Sequence, residues 1–131
     1  MKLKKHEGNL KPLTEVELQL MNIIWEFGDC TVKDVQIGLS RDRYLAYTSV
    51  ATIMKILEQK CFLKSQKSDK AHTFQVLVSK KDYESLSLRH LAVNLFNSNP
   101  TSMVSRLLDD TKISKKDLEA IQKVLKERLR S

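Results

Sequence analysis

The first third of the chain has apolar side chains at the spacing of an amphipathic helix. Thr14 and Glu17 form the T-x-x-E pattern of a capping box, which marks a helix start, and Gly28 is a typical helix stop. The apolar stripe between these signals consists of Val16, Leu20, Met21, Ile23, Ile24 and Trp25. The pattern therefore predicts a helix over about residues 15–27.

Two more helices are predicted before residue 60. Thr31 is a suitable cap for a short helix over about 32–40, whose inward or partly inward positions are Val32, Val35, Ile37 and Leu39. A third helix is predicted over about 47–59 from four apolar residues at i, i+3, i+4 and i+7. These four are Val50, Ile53, Met54 and Leu57. Its opposite face carries small or hydrogen-bonding side chains, namely Thr48, Ala51, Thr52, Lys55 and Gln59.

A different pattern follows the third helix. Residues 62–66 and 72–78 are separated by a polar, basic turn at 67–70, and the second run is rich in aromatic and β-branched side chains. Phe74, Val76 and Val78 occupy alternate positions, as in a strand. Three helices followed by a basic hairpin is the order of a winged helix-turn-helix. The predicted fold class is therefore mostly α with a small β-hairpin wing.

Three amphipathic helices are predicted after the hairpin. Ser79 caps one over about 80–97, Pro100 or Thr101 begins a shorter one, and Ser114 caps the last. About 50 residues cannot bury so many apolar side chains internally, which favours docking on a second copy of the chain. The predicted dimerisation residues are Leu91, Leu95, Met103, Val104, Leu107, Leu108, Leu118, Ile121, Val124 and Leu125.

Positive charge is spread over both predicted domains, a winged-helix DNA-binding domain at 1–78 and a helical dimerisation domain at 79–131. The first range carries 12 basic and 9 acidic side chains, and the second carries 11 and 7, which together give the net charge of +7. The low content of glycine (three) and proline (two) favours helices over a turn-rich β fold. A basic balance attracts polyanions, so nucleic acid, an anionic membrane surface and acidic proteins all remain open as partners.

The cysteines and the N-terminus indicate a soluble, cytoplasmic protein. Cys30 and Cys61 lie among apolar residues without C-x-x-C or C-x-C spacing, which favours two reduced core thiols. The basic start of the chain lacks the apolar stretch of a secretory signal. No run of residues has the length and apolarity of a transmembrane helix, so no membrane partner is expected.

Catalysis is not predicted. His6, His72 and His90 are isolated and fit no metal-ligand pattern, so neither a metal nor another cofactor is expected. The chain has no glycine-rich phosphate loop and no serine elbow. The Asp109-Asp110 pair is typical of a solvated helix end and not of an acid/base dyad.

The outward face of the third helix is the candidate site for nucleic acid. Small hydroxyl side chains can approach base edges, while basic residues beside them hold phosphates. From periodicity alone, a solvated helix face beside a charged turn explains the same residues equally well, and the order of the elements favours DNA. The predicted DNA-binding residues are Thr31, Lys33, Arg41, Arg43, Tyr47, Thr48, Ser49, Thr52, Lys55, Lys67 and Lys70.

Two motifs resemble those of one known family. Residues 13–25 are similar to the "L-T-x-x-E-x-x-V-M-x-x-I-W" opening of the penicillinase-repressor family, which includes methicillin-resistance and copper-transport repressors. Residues 45–60 are similar to its recognition-helix signature, "A-Y-T-T-V-x-T-x-L-x-R-L-x-x-K-G". Ser102-Met103-Val104 resembles the start of its dimerisation segment. The resemblance implies a homodimeric repressor of a palindromic operator, ahead of resistance, export or stress genes.

The chain departs from the family pattern at three points. Cys61 replaces the glycine expected after Lys60, which favours a helix end without a left-handed residue. The C-x-C pairs of copper-responsive relatives are absent. In relatives controlled by a membrane-bound sensor protease, cleavage occurs at an Asn-Phe pair, where this chain has Arg106-Leu107. The resemblance therefore implies a sensor protease as a partner without supplying its cleavage site.

Two functions of different classes fit the sequence. The first is a transcriptional repressor, and the second is a winged-helix module that binds an acidic protein partner. An interaction surface more often displays large apolar or aromatic anchors. The third helix offers only Ile56 as such an anchor, whereas its Thr and Ser side chains suit a DNA groove.

Overall fold

The computed structural model describes residues 10–67, 71–110 and 112–130. The described residues form six helices and one antiparallel hairpin. The elements are α1 (Glu15–Phe27), α2 (Val32–Leu39), α3 (Tyr47–Gln59), β1 (Leu63–Lys67), β2 (His72–Val76), α4 (Lys80–Asn94), α5 (Pro100–Asp110) and α6 (Lys115–Leu129). The predicted fold class, helices α1–α3 followed by a hairpin wing and then further helices, is confirmed.

Side-chain caps set where most of these helices begin. Thr14 and Thr31 each accept the backbone N–H of the third helical residue, and each donates its own N–H to a carboxylate there, so both capping boxes are complete. Ser79 and Ser114 accept backbone N–H groups in the same way at the starts of α4 and α6. At α5, Asn99 caps a helix whose first residue is proline. Each cap satisfies a backbone donor that the helix itself leaves unpaired.

The core of the winged helix lies where α1, α2, α3 and the hairpin meet. Leu57 and Phe74 are buried there, while Trp25 and Ile53 are half-buried and pack against the core. The fully buried side chains of the described residues include Leu20, Met21, Ile24, Val35, Leu39, Val50, Met54, Phe62 and Leu63. Because these residues come from every element up to β1, and Phe74 adds β2, the core packs α3 against the hairpin.

The start of α4 is anchored to this core through Tyr83. Its hydroxyl accepts the backbone N–H of Leu13 at 2.9 Å, and its ring lies 5.5 Å from that of Phe62 and 5.9 Å from that of Trp25, centroid to centroid. The indole N–H of Trp25 in turn donates to the carbonyl of Val78 at 2.8 Å. Tyr83 thus ties both ends of the winged-helix sequence to one core.

The end of α3 differs from the sequence prediction. Cys61 has a φ of 70°, so the helix does end in a left-handed residue although glycine is absent. The Cys61 N–H donates to the carbonyl of Glu58 at 3.0 Å, and the Phe62 N–H donates to that of Leu57 at 2.9 Å. These are the two hydrogen bonds of a Schellman motif. These hydrogen bonds offset the conformational energy that the positive φ costs at Cys61. The Cys61 side chain is only half-buried. The prediction of a core thiol is therefore wrong for this residue.

The outward side of α2 also departs from the prediction. The sequence places Ile37 inward or partly inward, but its side chain is 60% exposed. Gly38 lies very close to α1: a Cβ added at this position would come within 2.8 Å of the Ile23 Cγ2 atom. The buried residues of α2 are Val32, Val35 and Leu39, and Ile37 lies on the opposite face of the helix, towards solvent.

The chain divides into two compact units, Met1–Ser87 and Leu88–Ser131, called here the winged-helix unit and the C-terminal unit. No described residue between 88 and 130 is buried. An apolar cleft of about 700 Å³ runs along the C-terminal unit, lined by residues that include Leu91, Phe96, Met103 and Leu107. Among the described residues, no helix is both long and apolar enough to cross a membrane.

Candidate nucleic-acid interface

The helix α3 separates the predicted base-approaching residues from the core. Val50, Met54 and Leu57 are fully buried on one side. The other side carries the exposed side chains of Thr48, Ser49, Thr52 and Lys55, and Tyr47 is exposed at the start of the helix. All five predicted α3 residues are therefore exposed to solvent on one helix.

The hydroxyl of Thr52 already has a donor interaction within the helix. Its Oγ1 donates to the carbonyl of Thr48 at 2.9 Å, one turn back. The proton is therefore engaged, while the oxygen lone pairs and the methyl group face outward. In this state Thr52 can accept a hydrogen bond from an adenine or cytosine amino group, or contact a thymine methyl group.

The N-terminus of α3 has no side-chain cap, in contrast to those of α1, α2 and α6. Its cap residue is Ala46, which makes no side-chain hydrogen bond. The preceding turn is held instead by Gln36 of α2, whose Nε2 donates to the carbonyl of Leu45 at 3.1 Å. The free backbone N–H groups and the positive end of the helix dipole at Tyr47 and Thr48 give this end affinity for an anion such as phosphate.

Four predicted basic DNA-binding residues outside α3 are exposed. Arg41 and Arg43 are exposed in the turn between α2 and α3, and Lys33 is exposed in the first turn of α2. Lys67 is exposed at the end of β1, opposite His72 in the hairpin register. Within the described ranges, none of these four basic residues forms an ion pair. Lys70 lies outside the described residues.

Thr31 has a structural role that the DNA prediction did not include. Its Oγ1 accepts the N–H of Asp34 at 3.1 Å, and its own N–H donates to the Asp34 carboxylate at 2.9 Å. The predicted cap is thus confirmed, and the side chain is only half-exposed. Its contact with DNA stays a prediction.

A contact between α3 and the wing was not predicted from the sequence. The Glu58 Oε2 atom accepts two hydrogen bonds from Ser65 in β1, one from the backbone N–H at 2.8 Å and one from the hydroxyl at 2.7 Å. These bonds hold the pKa of the Glu58 carboxyl below its ordinary value, because they favour the charged form. The seven-residue separation crosses a helix end, so no periodicity in the sequence indicates it.

Two features of the described residues bear on nucleophilic and metal chemistry. Burial, with Asp34 and Asp29 nearby, raises the pKa of the Cys30 thiol to about 11, which keeps it protonated and unreactive. Among the described residues, no three His, Cys, Asp or Glu side chains cluster as metal ligands would.

Comparison with known proteins decides the family. The sequence model of one family, the penicillinase repressors, matches residues 13–127, which is nearly the whole chain. The chain belongs to the penicillinase repressor family. As a member, it is a DNA-binding transcriptional repressor of the winged-helix class and not an enzyme. This membership favours the repressor over the protein-interaction module.

Individual relatives are distant. A 16.5 kDa protein of Latilactobacillus sakei, encoded in the ptsI 3′ region, is 23% identical over 117 residues, which cover 89% of this chain and 80% of that protein. The solution structure of monomeric BlaI from Bacillus licheniformis with the blaP half-operator is 20% identical, with a TM-score of 0.49, over 57% of this chain and 92% of that one. A MarR family protein from Bacillus stearothermophilus is 13% identical, with a TM-score of 0.48, over 98% of this chain and 83% of that one.

Proposed function

We propose that the protein is a homodimeric repressor that binds a palindromic operator ahead of resistance or stress genes. In this proposal two C-terminal units pair, and the dimer presents two α3 helices to successive half-sites. The sensor protease implied by the family resemblance stays a prediction, because Arg106-Leu107 replaces the Asn-Phe pair of relatives regulated by cleavage.

The observation that carries the proposal is the exposed apolar surface of the C-terminal unit. The described residues from 88 to 130 include none that is buried and so do not form an independent core, which means that another apolar surface must cover them. Ten residues are proposed to do so, and seven of them are more than 40% exposed: Leu91, Leu95, Val104, Leu107, Leu118, Val124 and Leu125. Leu108 is slightly less exposed, and Met103 and Ile121 are half-buried.

A second copy of the chain is the occupant that fits best. Eight of the ten residues lie on the amphipathic helices α5 and α6, and the other side of α6 carries lysine and arginine, so a self-complementary contact buries only the apolar sides. Two-fold pairing also serves DNA binding. A single α3 reads too few base pairs to select one site, whereas a dimer reads two half-sites about one helical turn apart, or a multiple of that distance.

Charged substitutions in α5 of the full chain test the pairing. Leu107→Glu places a carboxylate on the apolar side, and Ser105→Glu adds the same charge to an exposed polar position of the same helix. In sedimentation equilibrium we expect Leu107→Glu to be monomeric and Ser105→Glu to be dimeric. A monomer engages only one half-site, so binding to the selected operator should weaken by about 100-fold, as expected when bivalency is removed.

The operator itself is defined by selecting bound duplexes from a random pool with the unaltered protein. We expect an inverted repeat whose half-sites are spaced by about 10 base pairs or a multiple. A Leu107→Glu variant that stays dimeric and keeps its operator affinity would refute the proposed pairing surface. Selected duplexes with a single, unrepeated motif would contradict the palindromic operator.

A further inference from the structure

The contact between Glu58 and Ser65 lies at the position in the hairpin where β2 also binds the backbone of Cys30. Ser65 is opposite Phe74 in the β1–β2 register. Phe74 exchanges both of its backbone hydrogen bonds with Cys30, at 2.7 and 3.2 Å, on the side away from β1. In an antiparallel pair, the backbone groups of two opposite residues point either at each other or away from each other. The Ser65 N–H therefore points out of the hairpin, where Glu58 accepts it.

The outer edges of both strands are therefore hydrogen-bonded at the same residue pair, Ser65 and Phe74. The β2 edge is bound by the backbone of Cys30, directly before the cap of α2. The β1 edge is bound by the Glu58 carboxylate, in the last turn of α3. The Cys30 contact is made by the main chain and does not depend on the side chain. The Glu58 contact is a side-chain contact, so it alone is removed by substitution.

Without the hydrogen bonds from Ser65, a charged carboxylate in the last turn of α3 would be electrostatically unfavourable. The last turn of a helix carries partial negative charge, which repels Glu58. DNA phosphates near Lys55, one turn earlier, would repel it as well. The two hydrogen bonds from Ser65 offset these costs, and they explain why the pKa of the Glu58 carboxyl is lowered in spite of the helix dipole.

We propose that Glu58 is a positioning residue for DNA binding: its clamp on Ser65 fixes the wing to the recognition helix α3, so that the exposed lysines of β1 and the outward side of α3 contact one DNA site as a rigid unit. The proposal rests on the proposed DNA-binding function. Lys64 and Lys67 are the exposed lysines of β1, and they lie on either side of Ser65. Without the clamp, these lysines would contact phosphates only after the wing had been ordered, which weakens binding.

Three substitutions separate the clamp from simple charge effects. Glu58→Ala removes the acceptor, Ser65→Ala removes one of its two donors without changing the charge, and Glu26→Ala is the matched control. Glu26 is an exposed carboxylate in the last turn of α1, and it makes no hydrogen bond or ion pair with the described residues. If Glu58 only repelled DNA, Glu58→Ala would bind more tightly, because a negative charge close to the phosphates would be removed. The clamp predicts the opposite sign.

The probes are a duplex selected from a random pool by the unaltered protein and a duplex of unrelated sequence. We expect Glu58→Ala to lose about tenfold in affinity for the selected duplex, within the range of coupled neighbouring groups. Ser65→Ala should lose less, and Glu26→Ala should bind as the unaltered protein does. The slope of log affinity against log salt should fall by about 0.9 for each phosphate that the wing of Glu58→Ala no longer neutralises. If Glu58→Ala only destabilised the fold, a smaller fraction of the protein molecules would bind DNA, and the slope of log affinity against log salt would be unchanged.

A double-mutant cycle with Lys67→Ala completes the test. In the unaltered protein this substitution should weaken binding and flatten the salt slope. In Glu58→Ala it should have little further effect, because the wing is already disengaged. Equal effects of Lys67→Ala in both backgrounds, or tighter binding by Glu58→Ala, would overturn the proposal.

Failure of the proposed function gives a different result. If the unaltered protein binds neither duplex, the DNA-binding function is contradicted, and with it any role of Glu58 in DNA binding. Amide hydrogen exchange in the free protein then still decides whether the clamp exists. Exchange at Ser65 should be faster in Glu58→Ala than in Glu26→Ala, and equal exchange would show that Glu58 does not hold β1.

Discussion

At the scale of single residues, Thr52 shows how a helix shapes a side chain that faces DNA. Its proton is donated to Thr48 one turn back, so the outward groups are an acceptor and a methyl. We expect Thr52→Val, which keeps the shape and removes the oxygen, to reduce affinity for the selected operator by about 1–3 kcal/mol if the oxygen accepts from a base. Binding to random DNA should be nearly intact.

Thr52→Ser is the matched comparison, because it keeps the oxygen and removes the methyl group. If Thr52 contacts a thymine methyl instead, Thr52→Ser should lose more affinity than Thr52→Val. Competition titrations with operator and random duplexes measure both variants. Equal losses on the two duplexes would exclude Thr52 as a reader of sequence.

Cys61 is a second residue where local energetics can be measured. Its φ of 70° lies in the left-handed region, which costs a side-chain-bearing residue about 1–2 kcal/mol. Glycine avoids that strain but loses about 0.5–1 kcal/mol through the greater freedom of the unfolded chain. Cys61→Gly should therefore raise the free energy of unfolding by about 0.5–1 kcal/mol in urea titrations. Cys61→Ala, which keeps the strain and removes the thiol, should not; a matching gain there would assign the effect to sulfur.

At the scale of elements, one carboxylate joins the start of α1 to the end of α3. The Glu17 Oε1 atom accepts the Thr14 N–H at 2.9 Å and the Lys60 Nζ at 2.7 Å, with only 7% of the residue exposed. Burial raises the pKa of the Glu17 carboxyl, but the hydrogen bonds from Lys60 and Thr14 and the Lys60 charge lower it by more. The pKa therefore lies below its ordinary value of 4.5.

This lowered pKa predicts an acid-sensitive helix contact. A carboxyl with a lower pKa in the folded state stabilises the fold fully above the unfolded value, and that stability is lost as the pH falls through the folded value. The unfolding free energy should therefore decrease below about pH 4.5. Glu17→Gln should be less stable at neutral pH by about 1–3 kcal/mol, as when a charged hydrogen-bond partner is removed, and should lose less on acidification. Denaturant titrations across pH, with exposed Glu15→Gln as control, would contradict this if both variants behaved alike.

At the scale of the whole molecule, the charge around α3 should determine how binding depends on salt. Arg41 and Arg43 are exposed in the turn before the recognition helix. If each holds one phosphate, Arg43→Ala should flatten the slope of log affinity against log salt by about 0.9 and weaken all sequences equally. Lys123→Ala removes the same charge from α6 and should leave the slope unchanged. An unchanged slope for both Arg41→Ala and Arg43→Ala would remove that turn from the interface.

Local signals were the ones that predicted structure reliably. The capping residues Thr14, Thr31 and Ser114 and the apolar spacing placed the helix starts correctly, because a cap acts within one turn of its own chain. Contacts over longer distances were not predictable in the same way. Glu58 reaches Ser65 around a helix end, and Gln36 reaches the Leu45 carbonyl across a turn. Neither contact follows from a period of 3.6 or 2, so both were missed.

Two features of this protein follow from the sequence by itself. Its periodicities specify three helices, a hairpin and three further helices, and its motifs at residues 13–25 and 45–60 indicate the repressor family, since both depend only on residue order. Tertiary structure decided the rest. Gly38 packs so closely against Ile23 that a Cβ there would come within 2.8 Å of the Ile23 Cγ2 atom, and the hydrogen bonds that close α3 hold Cys61 at positive φ. These outcomes depend on the spatial position of neighbouring groups, which no local pattern encodes.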